Sequence, residues 1–198
     1  MRCFVVELNT SHSIFFARFR GVTVINAYQD KEFISIVGEL LTHKDIQDLK
    51  YYKHHYYNTR FAHSLEVAYT TYKWCKKFNL DYRAGARAGL MHDMFYYDCK
   101  DTPDMVSNHL DDHPYIALLN ARQLTDLTPM EEDMILKHMW LPFKRKPQYK
   151  EGWALTIADK YHAVMDWVVV PVKNRMKKYA ELYERQEGYV QLNEKRIY

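Results

Sequence analysis

The stretch Gly89-Leu90-Met91-His92-Asp93-Met94-Phe95 decides the fold, because it sets an imidazole and a carboxylate side by side among apolar residues. A charged carboxylate in apolar surroundings is costly unless it is paired or bound to a metal. His92 and Asp93 therefore belong either to a metal site or to a buried hydrogen-bonded pair. The small residues of 84–89 come just before them and allow a helix to pack closely against its neighbours.

Four further side chains extend this pair into a longer pattern: His63 upstream, and His113, His138 and Asp159 downstream. Each of the six falls on a predicted helix or at a helix end. Imidazoles and carboxylates together are the ligands that divalent Fe, Mn, Co, Ni and Zn prefer. The core of a helical bundle is a usual place to assemble them from facing helices. His109 lies four residues before His113 and could replace it or join it as a ligand.

The composition fits one globular domain and excludes several classes of protein. The chain has 198 residues, of which 47% are hydrophobic, and its net charge of +3 is too balanced for bulk nucleic-acid binding. Three cysteines without a CxxC pair, Cys3, Cys75 and Cys99, fit a reducing cytoplasm. No apolar run approaches the roughly 20 residues of a membrane helix, and Glu7 with the polar residues 9–12 argues against a secretory signal. We therefore expect a cytoplasmic protein with no membrane or nucleic-acid partner.

The chain divides at about residue 26. Residues 1–26 form an N-terminal extension, for which disorder, short strands and a misassigned start codon are all open interpretations. Residues 27–198 form a single helical bundle that ends in a charged, amphipathic helical tail. No strand-like alternation follows residue 30, so the predicted fold class is all-α.

Apolar residues at helical spacing predict the helices of this bundle. We expect helices from about residue 31, over about 45–52, over about 60–78, through His92-Asp93, and starting at Pro114, Thr128 and about Trp153. Asp81 suits the N-cap of the helix that carries His92-Asp93. Thr128-Pro129-Met130-Glu131 combines a capping box with a proline at the first helical position. Loops are expected at 51–60, 98–112 and 141–150, which favours the surface for His54 and His55 and leaves the lining of the pocket as the alternative.

The whole pattern resembles the HD-domain metal-dependent phosphohydrolases over about residues 55–165. The resemblance rests on Arg60-Phe61-Ala62-His63-Ser64-Leu65-Glu66-Val67, Ala88-Gly89-Leu90-Met91-His92-Asp93 and Ile157-Ala158-Asp159-Lys160. It is strongest toward small bacterial single-domain members, including the type that hydrolyses diadenosine polyphosphates. It implies an HD-domain helical bundle for residues 27–198.

The resemblance implies metal ions as cofactors. The first ion would be held by the residues of the family motif, His63, His92, Asp93 and Asp159. Members with two further histidines before the last aspartate hold a second ion, and His113 and His138 occupy those places. Asp93 could bridge the two ions. We therefore expect two divalent transition-metal ions, Fe, Mn, Zn, Ni or Co rather than Mg.

The resemblance also implies a hydrolase of enzyme class 3.1 or 3.6. Such an enzyme cleaves a phosphoester or phosphoanhydride of a small phosphorylated metabolite, here expected to be a nucleotide, with a metal-bound hydroxide. Asp93 would take part in catalysis as the bridging ligand. Lys160 and Arg60 are the candidate cations that bind the substrate and steady the charge at phosphorus, and Lys160 is favoured because it adjoins a ligand. Lys144 and Arg145 are further candidates for phosphate binding.

Departures from the family pattern leave the substrate open. Met94-Phe95-Tyr96-Tyr97 follows the pair where members that cleave cyclic dinucleotides carry Gly-Lys, and a Gly-Tyr-Pro signature is missing. Two alternative functions stand beside the main hypothesis. One is a mononuclear nucleoside 5′-monophosphate phosphatase that leaves His113 and His138 unused. The other is a non-catalytic sensor that binds a nucleotide. A homodimer is compatible with each of them.

Overall fold

The structure, a computed structural model, describes residues 24, 26–54, 58–97, 109–140 and 145–168. Most of the predicted N-terminal extension and all of the tail after residue 168 lie outside these ranges. The described residues are almost entirely helical, which confirms the all-α prediction. The helices are α1 (Lys31–Thr42), α2 (Lys44–Asp48), α3 (Arg60–Lys77), α4 (Tyr82–Met91), α5 (His109–Leu124), α6 (Pro129–Lys137) and α7 (Lys150–Val168).

A short hairpin stands where a loop was expected before α3. After a single 3-10 turn, Leu49–Tyr51, strand β1 (Lys53–His54) pairs antiparallel with β2 (Asn58–Thr59). Lys53 lies opposite Thr59 and His54 opposite Asn58. Thr59 then caps α3, because its hydroxyl accepts a hydrogen bond from the Ala62 amide at 3.2 Å. The hairpin therefore leads directly into the first turn of α3.

The predicted helix starts and stops are borne out at three places. The Asp81 carboxylate accepts hydrogen bonds from the amides of Arg83 and Ala84, both at 3.0 Å, and so starts α4. Thr128 and Glu131 form the predicted capping box at the start of α6. Asn79 follows the end of α3 in the left-handed region, with φ of 53°, which asparagine tolerates better than most residues.

Pro114 does not start a helix, contrary to the sequence-based prediction. Helix α5 begins at His109, so residues 109–112, expected in a loop, are helical and Pro114 lies inside the helix. Pro114 is the sixth residue of α5, and because it has no N–H, the helix lacks the hydrogen bond to the carbonyl four residues earlier. The helix thus begins more than one turn before the predicted start at Pro114, and His113 lies within it.

Helices α3 and α4 pack closely because Gly89 has no side chain. A Cβ at Gly89 would lie 2.7 Å from the Cα of Ala68 on α3, which is closer than real contacts allow. Helix α3 also packs against α7 and buries all of its first nine residues, among them Phe61, Leu65 and Val67. None of the helices in the described part of the chain has both the length and the apolar run needed to cross a membrane.

Candidate metal centre

Three helices and the ends of two others bring the six predicted ligands into one buried cluster. His63 lies in the first turn of α3, His92 and Asp93 follow α4, His138 follows α6, and His113 and Asp159 lie within α5 and α7. No side chain of the six is more than 8% exposed. Because these residues come from separate elements, packing of the whole bundle determines their spacing.

Helix ends fix the orientation of two of the imidazoles. His92 is the C-cap of α4 and its Nδ1 lies 2.8 Å from the carbonyl oxygen of Gly89. His138 is the C-cap of α6 and its Nδ1 lies 2.7 Å from the carbonyl oxygen of Ile135. A carbonyl can only accept, so Nδ1 carries the proton in both rings, and one of the unpaired carbonyls of each helix end is satisfied. Nε2 of each ring is left to face the cluster.

One half of the cluster consists of His63, His92 and Asp159. Nε2 of His63 lies 3.0 Å from Oδ1 of Asp159, and Nε2 of His92 lies 3.7 Å from the same oxygen. The ligand atoms of this trio are all within 4.8 Å of one another. An ion about 2.0–2.2 Å from nitrogen and oxygen ligands accommodates donors at such separations after small adjustments.

The other half of the cluster is centred on His113 and His138. Their Nε2 atoms are 3.0 Å apart, and they lie 3.5 and 3.7 Å from Oδ1 of Asp93. The second oxygen of Asp93, Oδ2, lies 3.7 Å from Nε2 of His92 instead. The two oxygens of one carboxylate therefore face different groups of histidines, as a bridge between two ions requires.

Electrostatics keep both carboxylates ionised. Burial by itself would raise the pKa of Asp93, but the charges of His92, His113, His54 and His138 outweigh it and hold that pKa well below its usual range. Burial likewise acts to raise the pKa of Asp159, and Lys160 with the imidazoles of His63 and His92 holds it well below its usual range. The site therefore offers two anionic ligands.

The two capping histidines respond differently to this field. Burial lowers the pKa of His92, but the Asp93 and Asp159 carboxylates outweigh burial and raise it above its usual value. They favour a positive charge at Nε2, whether a proton or a metal ion supplies it. Burial and the charges of His92 and His113 hold the pKa of His138 well below its usual range, which leaves this ring neutral, as a metal ligand must be.

The donor set therefore fits divalent transition metals. Nε2 of His92, with its proton held on Nδ1, points a lone pair toward carboxylate oxygens, and that arrangement is repulsive unless a cation lies between them. A ligating histidine characteristically donates its other ring N–H to a carbonyl, as His92 and His138 do here. His63, His92, Asp93 and Asp159 could hold one ion, and Asp93, His113 and His138 a second.

The predicted cations differ in the groups that they contact. Nζ of Lys160 lies 2.6 Å from Oδ2 of Asp159, and its side chain is 28% exposed, so it contacts both a ligand and solvent. Arg145 contacts two residues of α5: it forms an ion pair with Asp111, and its guanidinium lies over the ring of Tyr115. Lys144 lies outside the described residues.

Arg60 is buried, and its guanidinium binds backbone carbonyl oxygens instead of facing open space. Its guanidinium donates hydrogen bonds to the carbonyl oxygens of Phe95, at 2.7 Å, and Tyr97, at 3.2 Å. It also stacks on the Phe95 ring, 3.5 Å from the ring centre. Arg60 thereby ties the start of α3 to the segment that follows Asp93, and this geometry indicates a positioning residue.

His54 is the residue that sequence reasoning did not place in the site. It was expected on a surface loop, yet its ring stacks on His63 with the centres 3.7 Å apart. Its Nδ1 lies 3.5 Å from Oδ2 of Asp93. The signal in the sequence was weak: two adjacent histidines shortly before the start of α3. The side chain of the other alternative, His109, lies outside the described part of the structure.

Comparison with known proteins supports the same assignment for most of the chain. Searches among curated proteins and among solved structures gave no significant match. The family model of the HD domain matches residues 60–164, more than half of the chain and a range that includes all six predicted ligands. The chain therefore belongs to the HD-domain family.

Proposed function

We propose that this protein is a binuclear metal-dependent phosphohydrolase that cleaves a phosphoester or phosphoanhydride of a small phosphorylated metabolite, namely a nucleotide. The observation that carries the proposal is the division of the Asp93 carboxylate, whose Oδ1 faces His113 and His138 while Oδ2 faces His92. Membership of the HD-domain family supports the hydrolytic class.

Two ions bound there would lower the pKa of a water molecule and neutralise phosphate oxygens, which is the chemistry that phosphoryl transfer needs. The residues of the chain supply the rest. His92 and His138 keep the Nε2 lone pair directed into the cluster, because Nδ1 of each donates a hydrogen bond to the carbonyl oxygen of Gly89 or Ile135. Asp93, whose two oxygens face different histidines, would contribute a ligand to each ion, and the pair of ions would stabilise negative charge on the phosphate.

Lys160 is the residue we assign to the phosphate. Its ammonium lies beside Asp159 and its side chain reaches solvent, so it can contact a phosphate oxygen without leaving the site. Arg60 is less suited to this role, because its guanidinium already donates to three carbonyl oxygens. Arg145 would first have to give up its ion pair with Asp111.

The choice of a nucleotide rests on aromatic side chains beside the cluster. The Phe95 ring lies 5.3 Å from that of His113, and the half-buried ring of Tyr97 lies 4.9 Å from Phe95. Aromatic rings stack on bases with little regard for the identity of the base. A nucleotide with its phosphate at the ions would have its base within reach of this side of the site.

A phosphate-release screen tests the proposal. Protein reconstituted with Mn²⁺, Fe²⁺, Co²⁺, Ni²⁺ or Zn²⁺ is incubated with nucleoside mono-, di- and triphosphates, diadenosine tetraphosphate and sugar phosphates. We expect metal-dependent release from at least one nucleotide and its loss in Asp93→Asn. Lys160→Met should lower kcat by about 100-fold, the usual cost of one lost electrostatic contact, whereas Lys73→Met, an exposed lysine on α3, should not.

The alternatives give different results in the same screen. Full activity toward a nucleoside 5′-monophosphate in His113→Ala and His138→Ala would favour the mononuclear phosphatase. Nucleotide binding without phosphate release from any substrate, in protein that has taken up metal, would favour the non-catalytic sensor. Release from sugar phosphates alone would overturn the assignment of a nucleotide substrate.

A further inference from the structure

His54 lies against the metal cluster from outside the helical bundle. It is the last residue of β1, and its side chain is 13% exposed, more than those of the ligands it touches. The His54 and His63 rings are nearly parallel, with an interplanar angle of 17°. His54 thus covers the solvent side of His63, at the edge of the site.

The hairpin holds His54 at a fixed position relative to α3. The amide of Arg60 donates to the carbonyl oxygen of Tyr52 at 2.9 Å, and the Arg60 guanidinium to that of Lys53 at 3.4 Å. His54 pairs with Asn58 across the hairpin. A residue in a strand held by these backbone hydrogen bonds is well suited to metal binding, because less backbone freedom remains to be lost.

The donor atoms of His54 have the spacing of a metal site. One ligand atom each from His54, His63 and Asp93 can be chosen so that all three lie within 4.8 Å of one another. Nδ1 of His54 is 3.5 Å from Oδ2 of Asp93, the oxygen that faces His92. Ligands of one transition-metal ion are typically about 3–4 Å apart when each is about 2.1 Å from the ion. The same side of the cluster therefore offers a further imidazole.

We propose that His54 is an additional ligand of the ion held by His63, His92, Asp93 and Asp159. Because it comes from the hairpin rather than from the bundle, binding of the ion also fixes the hairpin against α3. The inference rests on the proposed function only in that it needs a metal ion at this cluster. It does not depend on which phosphate compound is the substrate.

The test measures metal binding by His54→Ala, with Lys53→Ala as the matched control on the same strand. Lys53 is exposed, and its change leaves the backbone hydrogen bond to Arg60 in place. Circular dichroism first shows that both variants are folded. We expect the Kd for Mn²⁺ at one site to rise by at least about 10-fold in His54→Ala, since even a lost outer-shell partner of a ligand has that effect. Lys53→Ala should bind like the wild type.

The visible absorption of the Co²⁺-loaded proteins separates ligation from stacking. Loss of a coordinating imidazole changes the geometry and donor set of the ion, so the bands of His54→Ala should differ from those of the wild type. Superimposable Co²⁺ spectra, with or without a change in Kd, would overturn the inference and leave His54 as a stacking neighbour. Failure of the wild type itself to bind metal would instead overturn the proposed function.

Discussion

The Asp93 carboxylate shows how much depends on single residues in this site. Its neighbours His92, His113 and His138 keep it ionised despite burial, and each of its oxygens has its own histidine partners. The two rings with a capping role are pre-oriented by backbone carbonyls, so no side-chain freedom need be lost when an ion binds. His92 and His138 therefore each end a helix and also present a nitrogen to the cluster.

Replacing Arg60 by lysine tests its role at the residue scale. Lysine cannot reproduce the forked hydrogen bonds to Phe95 and Tyr97, so Arg60→Lys should lower the free energy of unfolding by about 1–3 kcal/mol even in metal-free protein. Arg83→Lys, an exposed substitution on α4, should stay within about 0.5 kcal/mol of wild type. Urea unfolding measures both. Unchanged stability in Arg60→Lys would return Arg60 to the list of phosphate-binding candidates.

Residue chemistry together with the resemblance to the HD-domain family predicted the six buried cluster members, and each of them lies on or beside a helix whose periodicity is visible. His54 could not be predicted in the same way. Two residues of strand carry no measurable periodicity, and the contact of His54 with Asp93 spans 39 positions. The carbonyl contacts of Arg60 were also hidden, since they depend on the path of residues 95–97 after the helix ends.

At the scale of elements, the close approach of α3 and α4 sets the distance between His63 and His92. Gly89 makes this approach possible, and its carbonyl also orients His92. Apolar periodicity and capping signals predicted the helices well. Pro114 was misleading, because α5 contains this proline at its sixth position in spite of the helical hydrogen bond that is lost there.

Gly89→Ala should therefore be damaging although alanine is the better helix former. Its Cβ would meet the Ala68 backbone at 2.7 Å, forcing α4 away from α3, and we expect a loss of about 1–3 kcal/mol in unfolding free energy and weaker metal binding. Gly38→Ala is the matched control on α1, where the nearest atom would be 3.6 Å away. It should stabilise the protein by up to about 1 kcal/mol. Equal effects of the two substitutions would show that the helices can move apart freely.

At the scale of the whole molecule, ligands drawn from three helices and the ends of two others would couple metal binding to folding. An ion bound only in the folded state stabilises the protein by about 2.7 kcal/mol when its concentration is 100 times Kd. Chelation should accordingly lower Tm by about 5–10 °C in a protein of this size. His63→Ala should lose this difference between metal-loaded and chelated samples. A thermal melt that does not shift, with metal loss confirmed, would place the ion outside the core.

The most direct test of the central claim, a two-ion centre bridged by Asp93, is metal stoichiometry by elemental analysis. After reconstitution and removal of free metal, wild type should carry about two ions per chain. His113→Ala and His138→Ala should each carry about one and remain folded, and Asp93→Ala should carry fewer still, because it removes a ligand from both ions. Fewer than about 0.1 ions per reconstituted wild-type chain, or two ions retained in both histidine variants, would contradict the account.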